Sequence, residues 1–181
     1  LALAGMSVVN AVNINASVST LRNQANAEEM PSFTLSRDGK NVVVLMLDRA
    51  MGEYIPYLFH EKPELEEKFS GFTYYSNVIS FGGNTNFGAP ALFGGYEYTP
   101  EKLMKRDNLP LVEKHDEALK VMPLLFDKNG YDVTVCDAPY AGYQWIPDLS
   151  IYDDYPDIQT YLTEGKFTDN AIREQTVKSR Q

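Results

Sequence analysis

The stretch Asn41-Val-Val-Val-Leu-Met-Leu-Asp48 decides how this chain is read. A six-residue apolar run that ends in a carboxylate reads as a strand buried on both faces of a parallel sheet. In open α/β sheets the ligand site lies beyond the carboxyl ends of the strands, which makes Asp48 a candidate site residue. Working outward, the next informative piece is Gly82-Gly-Asn-Thr-Asn-Phe-Gly-Ala-Pro-Ala-Leu-Phe-Gly-Gly95. It is a glycine-rich turn carrying one hydroxyl, Thr85, followed by small residues that can open a helix. Backbone N–H groups at a helix start attract anions, so a hydroxyl there is placed to meet a phosphate or sulfate. An acid and a hydroxyl at neighbouring strand ends suggest a metal-activated alkoxide.

The segments between and beyond follow the same logic. Residues 33–36 and 41 onward flank Asp38-Gly39, which supplies hairpin turn chemistry. Residues 49–62 read as helix and loop interrupted by Pro56, then a helix over 63–69 leads to a strand near 72–79. Thr99-Pro100 opens a short helix as cap and first helical residue. Leu111, Leu119, Met122, Leu125 and Phe126 recur near helical spacing, with Pro123 expected to kink or break the helix and Asn129-Gly130 to stop it. Tyr131 to Cys136 alternates like a strand ending in Asp137, residues 138–157 read as loop, and the polar tail from 158 is helix-compatible. About four strands result, which is lean for a sheet.

Taken in order, these pieces resemble the alkaline phosphatase and sulfatase superfamily. Asn41 to Asp48 resembles its early strand, whose Asp binds a metal, and Thr85 stands where the family has its nucleophile at a helix start. Thr85 lies five residues before Pro90, as in phosphoethanolamine transferases, and ten before Gly95, as in sulfatases and nucleotide phosphodiesterases. Pro63-Glu-Leu-Glu-Glu-Lys-Phe69, Gly71-Phe-Thr-Tyr-Tyr-Ser-Asn-Val78 and the helix-strand unit ending Asn129-Gly-Tyr-Asp-Val-Thr-Val135 are similar to further family segments. The resemblance implies a mostly parallel α/β sheet flanked by helices, of which residues 33–181 form only the N-terminal part. It implies a divalent metal, zinc or manganese rather than magnesium or calcium, held by Asp48 and Thr85. In relatives the remaining ligands, an Asp-His pair plus further His or Asp, come from the second half of the domain. Nothing after Asp137 offers them, so that missing half is itself an expected partner. Asn84 and Asn86 are candidate donors to a phosphoryl oxygen, and Gly83 lets the backbone approach an anion. Thr85 cannot form the aldehyde that sulfatases make from Cys or Ser, and Cys136 stands elsewhere. The resemblance therefore points to phosphoryl or phospho-head-group transfer, with membrane-anchored phosphoethanolamine transferases and lipoteichoic acid synthases closest in kind and a phosphate ester on a phospholipid or glycan as substrate.

Each of these residues also has a plainer role. Asp48 can cap a turn, Thr85 can cap a helix, the asparagines and glycines can serve turn geometry, and His60 and His115 read as surface or helix-face residues rather than ligands. Tyr140, Tyr143 and Trp145 suit either packing or an aromatic wall for a glycan or lipid head group. A non-catalytic binding or scaffold domain on the same fold is accordingly the competing expectation, and a sulfuric ester hydrolase a third.

Composition narrows the partners. With 44% hydrophobic and 23% charged residues in 181, the chain reads as globular and one domain long. A net charge of −9 excludes nucleic acid, which needs clustered Lys and Arg. The single cysteine precludes an intrachain disulfide and leaves the compartment open. Residues 1–32, uncharged until Arg22, read as a helical linker or membrane-proximal segment. Its apolar start is far short of the roughly 20 residues that span a bilayer. It suits the outer end of a membrane helix, placing the enzyme on the extracytoplasmic side of a membrane, and equally an amphipathic helix docking on its own domain.

Overall fold

The computed structural model describes residues 33–106 and 108–163, with Asn10 and Ile14 as isolated helical positions. The linker expected over 1–32 and the polar tail beyond 163 lie outside the described residues. Among the described residues, five α-helices and two strands follow in order: α1 Tyr54–Glu61, α2 Glu64–Lys68, α3 Thr85–Gly94, α4 Pro100–Arg106, α5 Leu111–Lys128, β1 Val133–Cys136 and β2 Ile158–Tyr161. The architecture is mixed α/β, with helices around a small parallel sheet in which Val133 pairs with Ile158 and Cys136 with Tyr161.

The helix α5 organises the core. Its buried residues Lys114, His115, Ala118, Leu119 and Pro123 recur at helical spacing on one face. That side packs against α3 and β1, and Leu119 joins Ala89, Val135, Ala138, Ala141, Leu149, Tyr152, Ile158 and Leu162 in one apolar cluster. Asn129-Gly130 ends α5 as expected. Gly130 takes φ +79°, and the N–H groups of Gly130 and Tyr131 donate to the carbonyls of Asp127 and Phe126, a complete Schellman motif.

Of the two outcomes expected at Pro123, a kink or a break, the break does not occur: α5 runs on through it. A proline has no N–H to give the carbonyl four residues back, here that of Leu119. The Tyr152 hydroxyl, from the turn Leu149–Tyr152, donates to that carbonyl at 3.1 Å and replaces the lost bond. Burial pushes the Tyr152 phenol above its ordinary range, so the hydroxyl keeps the proton it donates.

The strand expectations need correction at four places. Residues 41–47 belong to no ladder, and Val42 to Leu47 are 38–79% exposed rather than buried on both faces. The stretch 72–79 is also irregular. No hairpin forms around Asp38-Gly39; instead the Asn41 side-chain amide accepts from the Ser36 N–H at 2.9 Å and donates to the Ser36 carbonyl at 2.8 Å. A strand exists only with a hydrogen-bonded neighbour, and these segments have none among the described residues. Conversely, Ile158 to Tyr161, expected as polar helix, is a strand, because Ile158 and Leu162 bury into the cluster and the backbone pairs with β1. No residue over 33–84 is buried. Among the described residues no helix is long and apolar enough to cross a membrane.

Candidate functional site

The glycine-rich turn delivers Thr85 to the first position of α3. Gly82 is required there sterically: a Cβ would lie 2.4 Å from the Phe87 Cβ. Asn84, extended at φ −132° and ψ 154°, precedes the helix, and its carbonyl accepts from the N–H groups of Phe87 and Gly88 at 3.0 and 3.1 Å. The first N–H groups of α3, at Thr85 and Asn86, come before the helix can satisfy its own donors.

Across from this turn lies Asp48, directly after the apolar run. The Thr85 hydroxyl donates to Asp48 Oδ1 at 2.9 Å, joining two residues 37 apart in sequence. Arg49, at the left-handed φ of 60°, places its Nε 3.9 Å from Asp48 Oδ2. Both side chains are largely exposed, so this ion pair contributes little. Asp48 and Thr85 line a cavity of about 610 Å³ between residues 42–48, α5 and β1.

The other expected site residues are placed differently. Asn86 turns its amide to Tyr143 and donates to the phenol oxygen at 2.9 Å. Gly83 and Asn84 are exposed on the turn and do not line the cavity; a Cβ at Gly83 would meet nothing within 4 Å. Asp137 does line it, but its carboxylate accepts from the N–H of Thr163 at 2.7 Å and from the Thr163 hydroxyl. That pairing closes the end of the sheet and had no signature in the sequence. Cys136 lines the same wall, and burial, reinforced by the neighbouring Asp137 charge, pushes its thiol up, away from the reactive thiolate. Tyr140 and Trp145 meet edge to face at 6.0 Å on the cavity rim, with Trp145 exposed.

His60 is on an exposed helix, whereas His115 faces the core, fully buried. Neither of its ring nitrogens has a hydrogen-bond partner, and its ring stands edge to face with Tyr143 at 5.3 Å. The adjacent Asp116 accepts from the Gly142 N–H at 2.8 Å. Tyr143 thus touches both α5 and the start of α3.

Chemically, the site offers a hydroxyl already bonded to a carboxylate, at the positive end of a ten-residue helix. No group of three or more His, Cys, Asp or Glu side chains able to hold a metal exists among the described residues. Comparison with family models, with curated proteins and with solved structures finds no match to this chain.

Proposed function

We propose that this chain carries the nucleophile end of an alkaline-phosphatase-like enzyme of phosphoryl or phospho-head-group transfer or hydrolysis. One observation carries the reading: the hydroxyl of Thr85 and the carboxylate of Asp48 meet at 2.9 Å in the wall of one cavity. Thr85 Oγ1 attacks the phosphorus of a phosphate ester. The bond from Oγ1 to phosphorus forms, the bond to the leaving alcohol breaks, and the hydroxyl proton passes to Asp48 Oδ1, which already accepts it. A carboxylate is a weak base toward an alcohol, so the proton moves as the new bond forms. The N-terminal end of α3 supplies donors and a positive dipole for charge growing on the phosphoryl oxygens. The phosphothreonine then passes its phosphoryl group to water or to an acceptor alcohol.

The resemblance also implies a zinc or manganese ion at Asp48 and Thr85. Only these two residues offer ligands, with no further cluster among the described residues, while tetrahedral zinc takes four. The described donor set does not fit the ion by itself, and no step is derived through it. The substrate class proposed is a phosphate ester of a phospholipid or glycan at the extracytoplasmic face of a membrane. A sulfuric ester is disfavoured by the threonine. The two-donor set favours a second reading, a non-catalytic binding domain on the same fold.

The test is Thr85→Ala in the full chain, assayed on a nitrophenyl phosphodiester, with mass spectrometry for a phosphorylated peptide containing residue 85. With one carboxylate and one hydroxyl for a metal, this chain alone is expected to show little or no turnover; joined to the expected second half of the domain it should turn over and give the phosphopeptide, and Thr85→Ala should lose both. Equal turnover in both proteins removes Thr85 from the mechanism. Saturable ligand binding with no turnover in either supports the binding domain.

A further inference from the structure

The wall of the 610 Å³ cavity carries a charge that nothing in it balances. Three carboxylates border the cavity, Asp48, Asp132 and Asp137, and no Lys, Arg or His does. Arg49 lies 3.9 Å from Asp48 with its side chain exposed, so it neutralises little. Among the described residues the ion pairs involve other acids than Asp132 and Asp137. Asp132 is exposed, and Asp137 accepts only from the N–H and hydroxyl of Thr163, which carry no charge. A cleft lined by one sign of charge, with low-dielectric walls, concentrates ions of the opposite sign.

The rest of the wall is aromatic and aliphatic. Phe126 and Tyr131 meet edge to face at 5.2 Å and 78°, and Tyr140 and Trp145 at 6.0 Å and 84°. Rings set near right angles form the corner of a cage, and a ring face attracts a cation through its quadrupole. Among the described residues the stacked cations Lys102, Arg106 and Lys120 lie over Tyr96, Tyr98 and Tyr155 instead, so none occupies these four rings.

We propose that this cavity binds an organic cation, a protonated or quaternary amine carried on an apolar body. Apolar walls alone would suit a neutral ligand; the carboxylates without a basic partner select positive charge. Carboxylates alone would suit a hydrated metal ion; the ring pairs select a cation that sheds water easily. The volume lies within the roughly 300–1,000 Å³ typical of small-molecule sites, and the net charge of −9 adds attraction at long range. The inference goes beyond the phosphoryl-transfer reading and stands without it, since its test ligands contain no phosphorus.

Three ligands with one apolar body test it on the full chain at neutral pH: phenylbutylamine, which is protonated, phenylbutanol, which is neutral, and phenylbutyrate, which is an anion. Trp145, the only tryptophan, stands exposed on the cavity rim, and its emission reports binding, with titration calorimetry as the second readout. The amine is expected to bind about tenfold tighter than the alcohol, and the butyrate more weakly than either. Asp132→Asn should weaken the amine about threefold and leave the alcohol unchanged, and salt at about 0.5 M should do the same. Equal affinities for amine and alcohol overturn the proposal in favour of a plain apolar site. Tighter binding of the butyrate overturns it in favour of an anion site. No saturation by the amine up to about 10 mM in either readout overturns it outright.

Discussion

Replacing Tyr152 with Phe tests how α5 survives its internal proline. Leu119 is fully buried and Tyr152 is 2% exposed, so water cannot reach the Leu119 carbonyl once the Tyr152 hydroxyl is gone. Phe keeps the ring and opens no large cavity, so the loss isolates one hydrogen bond and one abandoned acceptor. A buried polar group left unsatisfied costs about 1–3 kcal/mol. Tyr152→Phe is therefore expected to lower stability by about 2 kcal/mol, a Tm drop of roughly 2–4 °C per kcal/mol for a chain of this size. The decisive step repeats the change in a Pro123→Ala background. Alanine supplies the N–H that the proline withholds, giving the Leu119 carbonyl a partner within the helix. In that background Tyr152→Phe should cost under about 0.5 kcal/mol, a coupling of about 1.5 kcal/mol in a double-mutant cycle. Urea unfolding monitored by far-ultraviolet circular dichroism measures all four proteins. Equal costs in the two backgrounds would refute the argument that Tyr152 stands in for the missing N–H.

Alkaline pH addresses the same phenol and a second one. The Tyr98 phenol is pushed up by burial and by its 2.6 Å hydrogen bond to Glu117, against the Arg106 charge, and burial does the same to Tyr152. The folded state holds these protons after the unfolded chain, near its ordinary value of 10.0, has released them. Stability is thus complete below that value and falls as pH rises above it; a urea midpoint unchanged between pH 9 and 11 contradicts this. His115→Leu should stabilise the fold by about 1 kcal/mol, because two buried ring nitrogens without a hydrogen bond cost roughly 1–3, while the ring contact with Tyr143 returns about 0.5–1.5 and Asp116 Oδ1, 3.8 Å from Nδ1, adds little. Lower stability on urea unfolding would show that His115 finds a partner. Gly94→Ala should cost about 1–3 kcal/mol: the new Cβ would sit 2.4 Å from Tyr98 Cδ2 and displace the ring that bonds Glu117. A thermal melt matching the unmodified chain removes that steric argument.

Local chemistry explains which parts of this molecule were legible beforehand. Helix α5 and its stop follow from apolar spacing and Asn129-Gly130, because a helix satisfies its backbone within itself. The opening of α3 at Thr85 follows from the glycine-rich turn and the small residues after it. Asp48 and Thr85 were singled out as neighbouring strand ends; neither follows a strand among the described residues, yet their side chains meet. What they do chemically stays with the Thr85→Ala experiment.

Tertiary contacts governed the rest. Val42 to Leu47 have every local mark of a strand but no ladder partner among the described residues, and Ile158 to Tyr161 have few such marks and do pair. A strand's hydrogen bonds belong to a neighbour distant in sequence, so its own residues state only a willingness to pair. Asn86 with Tyr143, Asp137 with Thr163, and Tyr152 with Leu119 likewise link residues at least 26 positions apart. The sequence by itself therefore determined the opening of α3, the spacing and stop of α5, the turn before Thr85 and the residue types gathered near it. Only the packed chain decided which apolar segments became strands and which polar groups spend their hydrogen bonds on structure, because those choices depend on partners that local sequence does not name.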